Sequence, residues 1–336
     1  MGSGKTFRKI TAMLALTFVF VSAYALIHGY SDTVSAPFIG VTGLTRSNTS
    51  ANSPGGPELF AGPEASVAKP LELEQELELE EYVAVKLAPS DIHRGSLLLI
   101  NQDHGYDTPD NNDLVRVSDV MAPSYMIADD SVMLDVSVIG PLNDMMDAFF
   151  EETGRDNVAI NSGFRDFEKQ QEILDDYIRI TNPVEALKWA APPGYSEHHS
   201  GLAFDLGIFS GGAVRTFTGT GLNEWFKSNS WRYGFILRYR DGKTGITGTY
   251  GEPWHFRFTG LPHSYIINEN DWCLEEYIRF IMEYTYEAPY SADYGGRIYD
   301  IYYTYETQLR IPFDCEFDYS GNNIDGFIVT IISSST

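Results

Sequence analysis

The chain has 336 residues, of which 43% are hydrophobic and 14% are aromatic. This composition provides a packed core for one or two domains and excludes a wholly disordered chain. The formal net charge is -24, from 47 acidic and 23 basic side chains. Such a charge argues against a nucleic-acid partner, because phosphate contacts require an accumulated positive surface.

The N-terminal segment, residues 1–28, has the charge order of an export signal or an uncleaved membrane anchor. Lys5, Arg8 and Lys9 precede an uncharged apolar run over residues 10–27. Ala23-Tyr24-Ala25 offers a cleavage site, yet the run also approaches the length of a membrane-spanning helix. The sequence therefore predicts an extracytoplasmic protein, either secreted or anchored to the membrane by this single segment, and both alternatives stay open.

Residues 29–82 have the composition of a linker. The stretch is rich in Gly, Ser and Pro and ends in the acidic run LELEQELELEEY at 71–82. Repulsion between neighbouring glutamates and the lack of β-branched residues favour a solvated linker or a short helix over a strand. We therefore expect ordered structure to begin near Val83.

The next elements follow from hydrophobic periodicity. Leu97–Ile100 and Val132–Ile139 are predicted strands. Pro141 suits the first position of a helix that ends at Gly154. Its apolar residues recur at helical spacing and are expected in the core: Leu142, Met145, Met146, Phe149 and Phe150.

A strand-to-helix corner is predicted at Arg165. Val158 and Ile160 form a short buried strand that ends before the corner, and Asp166 can cap the helix that follows. Side chains at such corners commonly point into a cleft. Arg165 is therefore a candidate active-site cation.

Three side chains further along form a candidate metal site. Asp205 shares a strand face with the small residues of LAFDLG, which leave room for an ion. His198 lies in a Pro- and Gly-rich loop that can curl back over this face. His255, in EPWHFR, lies on the polar face of a predicted strand, and Glu252 approaches from a bend before Pro253.

These residue types could carry out metal-assisted hydrolysis. Two histidines and one carboxylate can bind Zn²⁺ and leave a position open for water, while Glu252 takes the proton of that water. Arg165 could then stabilise an oxyanion or a substrate carboxylate. Each spacing taken singly favours a structural histidine or a strand-end aspartate, because such pairs occur by chance in many proteins.

Three segments together carry a resemblance to a known family. SGFRDFEKQ, SEHHSGLAFDLG and EPWHFR, within residues 157–260, are similar to the signature segments of the VanY-type zinc D-alanyl-D-alanine carboxypeptidases. The resemblance implies that His198, Asp205 and His255 bind zinc, that Glu252 is the general base, and that Arg165 stabilises the transition state. It also implies removal of the C-terminal D-alanine from peptidoglycan stem peptides.

The resemblance further implies an α+β fold, a small antiparallel sheet with helices like that of M15 and hedgehog proteins. The zinc peptidase domain is expected over residues 83–283, followed by a β-rich extension at 284–336 with strands at 299–305 and 327–332. Related members cleave other bonds, so an L,D-carboxypeptidase and a peptidoglycan endopeptidase remain alternatives. A non-catalytic module that binds wall peptides is the alternative from another class.

Other residues have a functional and a structural interpretation. Ser196 could contact substrate or form a turn. Gln170 could contact substrate, but an exposed helical glutamine is favoured. His199 could be a fourth ligand, but a supporting or solvent-exposed position is favoured. Cys273 and Cys315 are the only cysteines, and the sequence leaves open whether they form a disulfide.

Overall fold

A small mixed sheet with helices packed against it forms the centre of the fold. The computed structural model describes residues 82–106, 113–313 and 315–334, which belong to one compact unit. The predicted export segment at 1–28 and all but the last residue of the predicted linker at 29–82 lie outside the described residues.

Strands and helices are interspersed along the described chain up to α8, and five consecutive strands follow. The strands are β1 (Tyr82–Lys86), β2 (Leu114–Arg116), β3 (Met126–Ile127), β4 (Met133–Asp135), β5 (Val158–Ser162), β6 (Ala203–Ser210), β7 (Ala213–Thr216), β8 (Phe235–Leu237), β9 (His255–Phe258), β10 (Tyr290–Tyr294), β11 (Arg297–Thr304), β12 (Gln308–Pro312), β13 (Glu316–Gly321) and β14 (Phe327–Ser334). The α-helices are α1 (Val117–Val120), α2 (Val136–Thr153), α3 (Phe167–Ile180), α4 (Pro183–Ala186), α5 (Glu224–Asn229), α6 (Thr244–Thr247), α7 (His263–Glu269) and α8 (Leu274–Ile281). Short 3-10 helices lie at Pro89–His93, Glu197–Ser200, Gly221–Asn223 and Ser230–Tyr233.

The central sheet has the strand order β3-β5-β6-β9-β8, and β7 pairs with β6. All of its pairs are antiparallel except β3 with β5. The register shifts between Ile160 and Ser162, at the end of β5. The predicted α+β class with a small antiparallel sheet is therefore confirmed, with one parallel pair at the sheet edge.

Helix α2 supplies much of the core beside this sheet. Its buried side chains lie in one apolar cluster with Phe204 of β6 and Phe256 of β9. They are Val138, Ile139, Leu142, Met145, Met146 and Phe149. Gly154 ends the helix in the left-handed conformation, with φ 67°, as its position after the last apolar residue predicts.

The start of α2 differs from the prediction. The helix begins at Val136, and Pro141 lies inside it rather than at its first position. The Asp135 side chain caps the helix, since it accepts hydrogen bonds from the backbone N–H of Ser137 at 2.9 Å and from its hydroxyl at 2.5 Å. The predicted strand over Val132–Ile139 is accordingly reduced to β4.

The predicted strand at Leu97–Ile100 was wrong. These residues are buried but join no sheet. The Leu97 N–H donates to Ser320 Oγ at 2.8 Å, and the Leu99 N–H donates to the backbone oxygen of Asn322 at 3.0 Å. Distant C-terminal residues therefore satisfy the backbone groups that a strand partner would satisfy.

The C-terminal residues form a second sheet, with order β10-β11-β14-β13 and only antiparallel pairs. Strand β12 pairs instead with β1. Ile278 and Ile281 of α8 lie in one apolar cluster with Ile301 and Ile328 of this sheet. The β-rich C-terminal part is therefore confirmed, whereas the domain boundary at 283/284 stays a prediction.

Two further features complete the fold. Cys273 and Cys315 are both free thiols. Among the described residues, no helix combines the length and the apolar character that crossing a membrane requires.

Candidate metal centre and active site

The candidate ligands lie on two paired strands and on the turn that precedes them. Asp205 of β6 is directly opposite His255 of β9 in the antiparallel register, which sets the two side chains next to each other. His198 lies in the 3-10 helix Glu197–Ser200, which ends at Gly201 with φ 73°. A Cβ at Gly201 would be 3.0 Å from the Asp135 backbone nitrogen, so the turn requires glycine.

The structure brings the three predicted ligands together. One ligand atom each from His198, Asp205 and His255 can be chosen so that all lie within 4.8 Å of one another. His198 Nε2 is 3.4 Å from Asp205 Oδ2, and His255 Nδ1 is 3.1 Å from Asp205 Oδ1. Burial alone would raise the pKa of Asp205, but His198, His255 and Arg165 hold it well below its usual range. Asp205 is therefore a carboxylate.

His198 presents its Nε2 lone pair to the cluster. Its Nδ1 is 2.6 Å from the Gly163 backbone oxygen, which can only accept, so the hydrogen lies on Nδ1. Nε2 is buried and has no hydrogen-bond partner in the described part of the chain. Burial and the neighbouring Arg165 lower the pKa of His198 to about 4. The imidazole is therefore neutral, as a metal ligand must be.

In His255 the roles of the two ring nitrogens are exchanged: Nε2 faces away from the cluster and Nδ1 faces Asp205. Nε2 is 3.2 Å from Glu197 Oε2, and a carboxylate only accepts, so Nε2 carries a hydrogen that it donates. Burial lowers the pKa of His255, but its hydrogen bonds with Asp205 and Glu197 outweigh burial and raise the pKa to about 9. A second proton therefore lies on Nδ1, facing Asp205. A metal cation between these two atoms would take the place of that proton.

Glu252 lies beside the cluster on the bend before β9. Its backbone N–H donates to the backbone oxygen of Tyr239 at 2.9 Å, and its Oε2 is 3.7 Å from His255 Nδ1. The residue is only 8% exposed. Burial raises the pKa of Glu252 to about 8, against the opposing effect of His255 and with a further contribution from Asp205. Such a carboxyl group can accept and return a proton near neutral pH.

Arg165 occupies the predicted corner between β5 and α3. Its Nη2 donates to Asp205 Oδ2 at 3.3 Å, and its Nη1 donates to Gln170 Oε1 at 2.9 Å. Its Nε is buried and has no partner among the described residues. The guanidinium is therefore held at the edge of the metal cluster with a donor available for an anionic group.

The two predicted substrate contacts lie close to these groups. Gln170 is 1% exposed, so the expectation of an exposed helical glutamine was wrong. Its Nε2 donates to the Ala191 backbone oxygen at 2.7 Å while its Oε1 binds Arg165. Ser196 is 6% exposed and immediately precedes the turn that carries His198. Contact of either residue with substrate stays a prediction.

His199 is buried and supports the site without binding the metal. Its Nδ1 donates to the Arg165 backbone oxygen at 2.7 Å, and its Nε2 accepts from the Gly194 N–H at 3.0 Å. Because both ring nitrogens are used, His199 is no fourth ligand, and its burial excludes the solvent-exposed alternative.

Sequence reasoning missed Glu197. It is 1% exposed, and its Oε1 accepts from Arg238 Nε at 2.7 Å and from Arg257 Nη1 at 2.8 Å. Despite burial, these two guanidinium groups hold the pKa of Glu197 well below its usual range. A signal was present: Arg257 shares a strand face with His255, and a buried arginine requires an acidic partner.

A small sheet with a largely buried His/Asp/His cluster and an adjacent glutamate is typical of a metallopeptidase, a class of hydrolase. The family model of VanY D-alanyl-D-alanine carboxypeptidases matches residues 132–261. The chain is 34% identical over 256 residues to a D-alanyl-D-alanine carboxypeptidase of Enterococcus faecium, covering 74% of this chain and 79% of that relative. A D-alanyl-D-alanine carboxypeptidase of Enterococcus faecalis is 34% identical over 211 residues, 59% of this chain and 71% of the relative.

A solved structure gives the same result. The vancomycin-resistance D,D-dipeptidase VanXYg, in complex with a D-Ala-D-Ala phosphinate analog, matches with a TM-score of 0.65 and 33% identity. The match covers 75% of this chain and 99% of that chain. The chain belongs to the VanY family of D-alanyl-D-alanine carboxypeptidases.

Proposed function

We propose that this protein is a zinc-dependent D-alanyl-D-alanine carboxypeptidase that removes the C-terminal D-alanine from peptidoglycan stem peptides. The observation that carries the proposal is the largely buried cluster of His198, Asp205 and His255 with Glu252 beside it. The relatives from two enterococci carry the name of this activity, and VanXYg binds a D-Ala-D-Ala phosphinate analog. These likenesses support the D-alanyl-D-alanine bond as the substrate.

Zinc suits the donor set. Two imidazole nitrogens and one carboxylate oxygen are typical of catalytic zinc sites, which keep a further position open. The buried Nε2 of His198 lacks a partner in the described structure, and the Nδ1 of His255 faces Asp205, so both atoms are directed toward the cluster. When bound, zinc supplies a Lewis acid that lowers the pKa of water to about 7 and polarises a carbonyl group.

The protein side chains divide the remaining chemistry. Glu252, as the carboxylate, accepts a proton from the attacking water and returns it to the leaving amine; burial raises its pKa and so makes the ionised group a stronger proton acceptor. Arg165 stabilises the oxyanion or binds the carboxylate of the terminal D-alanine through its guanidinium group. Ser196 is a further candidate for substrate contact, whereas Gln170 would act through its hydrogen bond with Arg165.

The proposed location is extracytoplasmic, beside the peptidoglycan substrate. The basic residues and the apolar run within residues 1–28 support export, with the segment cleaved or kept as an anchor. Fractionation of the full chain, with and without this segment, tests the proposal. Activity that stays in the cytoplasm with the segment present would contradict it.

The activity is tested by release of D-alanine from synthetic stem peptides. The pentapeptide, which ends in D-Ala-D-Ala, should lose one D-alanine, and the tetrapeptide should not react. Release should stop on zinc chelation and return when zinc is added. Glu252→Ala should bind zinc but lose most activity, because it removes the carboxyl group that lies 3.7 Å from His255 Nδ1 and accepts the proton.

Other products would contradict the proposal in a defined way. Release from the tetrapeptide alone would indicate an L,D-carboxypeptidase, and cleavage inside the peptide would indicate an endopeptidase. Binding of either peptide without cleavage, in zinc-loaded protein, would indicate a non-catalytic module.

A further inference from the structure

A cluster of buried, paired charged side chains lies behind His255, and the proposed catalytic steps do not involve it. Its members are Glu197, Arg238, Arg257 and Glu275, with exposures of 1%, 0%, 0% and 7%. Charged side chains this deeply buried are rare unless they are paired. Apolar residues of similar volume often replace such clusters without loss of stability, so the cluster calls for a functional explanation.

The two oxygens of Glu197 have separate partners. Oε1 accepts hydrogen bonds from Arg238 Nε at 2.7 Å and from Arg257 Nη1 at 2.8 Å. Oε2 accepts the hydrogen bond from His255 Nε2 at 3.2 Å. The arginines thus fix the position and the charge of the carboxylate, and the remaining oxygen is available to the imidazole.

The arginines are themselves fixed on their other sides. Arg238 makes a bidentate contact with Glu275 of α8, with distances of 2.9 and 2.6 Å. Arg257 Nη2 donates to the backbone oxygens of Ser96 at 3.0 Å and Leu98 at 2.9 Å. Neither guanidinium can leave Glu197 without breaking buried hydrogen bonds, which is costly.

We propose that Glu197 is a positioning residue of the metal centre that acts through His255. It holds the hydrogen of His255 on Nε2 and thereby directs the Nδ1 lone pair to the metal. The inference rests on the proposed function, because it takes His255 to be a zinc ligand. A carboxylate behind a ligating imidazole fixes the tautomer and makes the ligand more basic, which strengthens metal binding.

The two histidine ligands are therefore oriented by different groups. His198 donates Nδ1–H to the backbone oxygen of Gly163, whereas His255 donates Nε2–H to a charged carboxylate. A neutral carbonyl fixes the tautomer of His198, and a carboxylate also raises the basicity of His255. Loss of the charge on Glu197 should therefore weaken zinc binding even where its hydrogen bond is kept.

The test is the zinc dissociation constant of the full chain, measured by competition with a chelator. Glu197→Gln keeps the shape but removes the charge and replaces one of the two acceptor oxygens with an NH2 donor, which would face either His255 Nε2–H or the arginines. It should weaken zinc binding about 10–100-fold. Glu275→Gln is the matched control, since it removes another buried carboxylate from Arg238 without touching His255. The control should bind zinc as the wild type does.

Two results would overturn the inference. Wild-type zinc affinity in Glu197→Gln would remove the role of Glu197, and an equal loss in both variants would reduce it to general support of the fold. The wild type distinguishes failure of this inference from failure of the proposed function. If the wild type binds zinc and releases D-alanine, the proposed function holds whatever Glu197→Gln shows. A wild type without zinc affinity would overturn both.

A spectroscopic readout covers the case in which Glu197→Gln does not fold. In zinc-loaded wild type with ¹⁵N-labelled histidine, His255 should show a slowly exchanging Nε2–H proton and a metal-bound Nδ1. Zinc on Nε2, or rapid exchange of that proton with water, would overturn the inference without any variant.

Discussion

At the scale of single residues, Gln170 controls the orientation of Arg165. Its side chain accepts from Arg165 Nη1 at 2.9 Å and donates to the Ala191 oxygen at 2.7 Å. Gln170→Ala would leave both partners buried without this hydrogen bond, a cost of about 1–3 kcal/mol. We expect kcat/KM to fall roughly 2- to 13-fold if half of this cost appears in the transition state, with zinc affinity unchanged.

Gln171→Ala is the control for this prediction. Gln171 is the next residue of α3, is exposed, and donates its side-chain hydrogen bond to Asp175 on the same helix. It should retain full activity. Equal activity of the two alanine variants would show that Gln170 does not orient Arg165.

The sequence predicted the residues of the metal cluster better than the residues around them. His198, Asp205, His255, Glu252 and Arg165 were found because they lie in three short segments of recognisable spacing. Glu197 lies in one of these segments, but its role depends on arginines that are distant in sequence. Pairing of this kind follows from strand order, which local patterns do not specify.

At the scale of elements, alanine substitutions at two glycines should have opposite effects on stability. Gly140 lies in the exposed part of α2, and a Cβ there would meet nothing within 4 Å apart from its chain neighbours and the helix's own backbone. Gly140→Ala should raise the free energy of unfolding by about 0.5–1 kcal/mol, since alanine favours the helix. Urea denaturation measures this difference, and a destabilised variant would show that α2 is strained near Pro141.

Gly163 carries the oxygen that holds His198. A Cβ there would lie 2.3 Å from the Met133 backbone oxygen, so β4 and the corner after β5 would have to separate. Gly163→Ala should therefore weaken zinc binding as well as stability, whereas Gly140→Ala should leave zinc binding unchanged. Wild-type zinc affinity in a folded Gly163→Ala protein would contradict the role of this carbonyl.

The secondary structure differed from the prediction where contacts with other segments determine the conformation. Helix α2 starts early because Asp135 caps it, although proline is the stronger local start signal. Leu97–Ile100 is apolar enough for a strand, but its backbone bonds to residues near Ser320. Strands β5, β6 and β9 were predicted because alternation and flanking turns specify them locally.

At the scale of the whole molecule, His263 joins the C-terminal sheet to the helices beside the central sheet. Its Nδ1 is 2.6 Å from the Tyr277 hydroxyl, and its Nε2 is 3.3 Å from Thr330 Oγ1 of β14. Burial lowers the pKa of His263 to about 3. The folded protein therefore keeps this imidazole neutral at a pH at which the unfolded chain binds a proton.

The pH dependence of stability follows from this shift. An unfolded histidine takes up its proton below about pH 6.5, so stability is fully present above that pH and falls as pH decreases toward 3. Between pH 7 and pH 5 the wild type should lose about 2 kcal/mol through this group. Urea unfolding of His263→Gln should show a smaller loss, and an identical loss would contradict the assignment.

The proposed activity depends on a hydrolytic metal ion held by His198, Asp205 and His255. Its most direct test is a titration of metal-free protein with zinc while D-alanine release from the stem pentapeptide is followed. We predict that activity is absent without metal, rises in proportion to added zinc and stops rising at one equivalent. Full activity in the metal-free protein, or none after zinc has bound, would contradict the account.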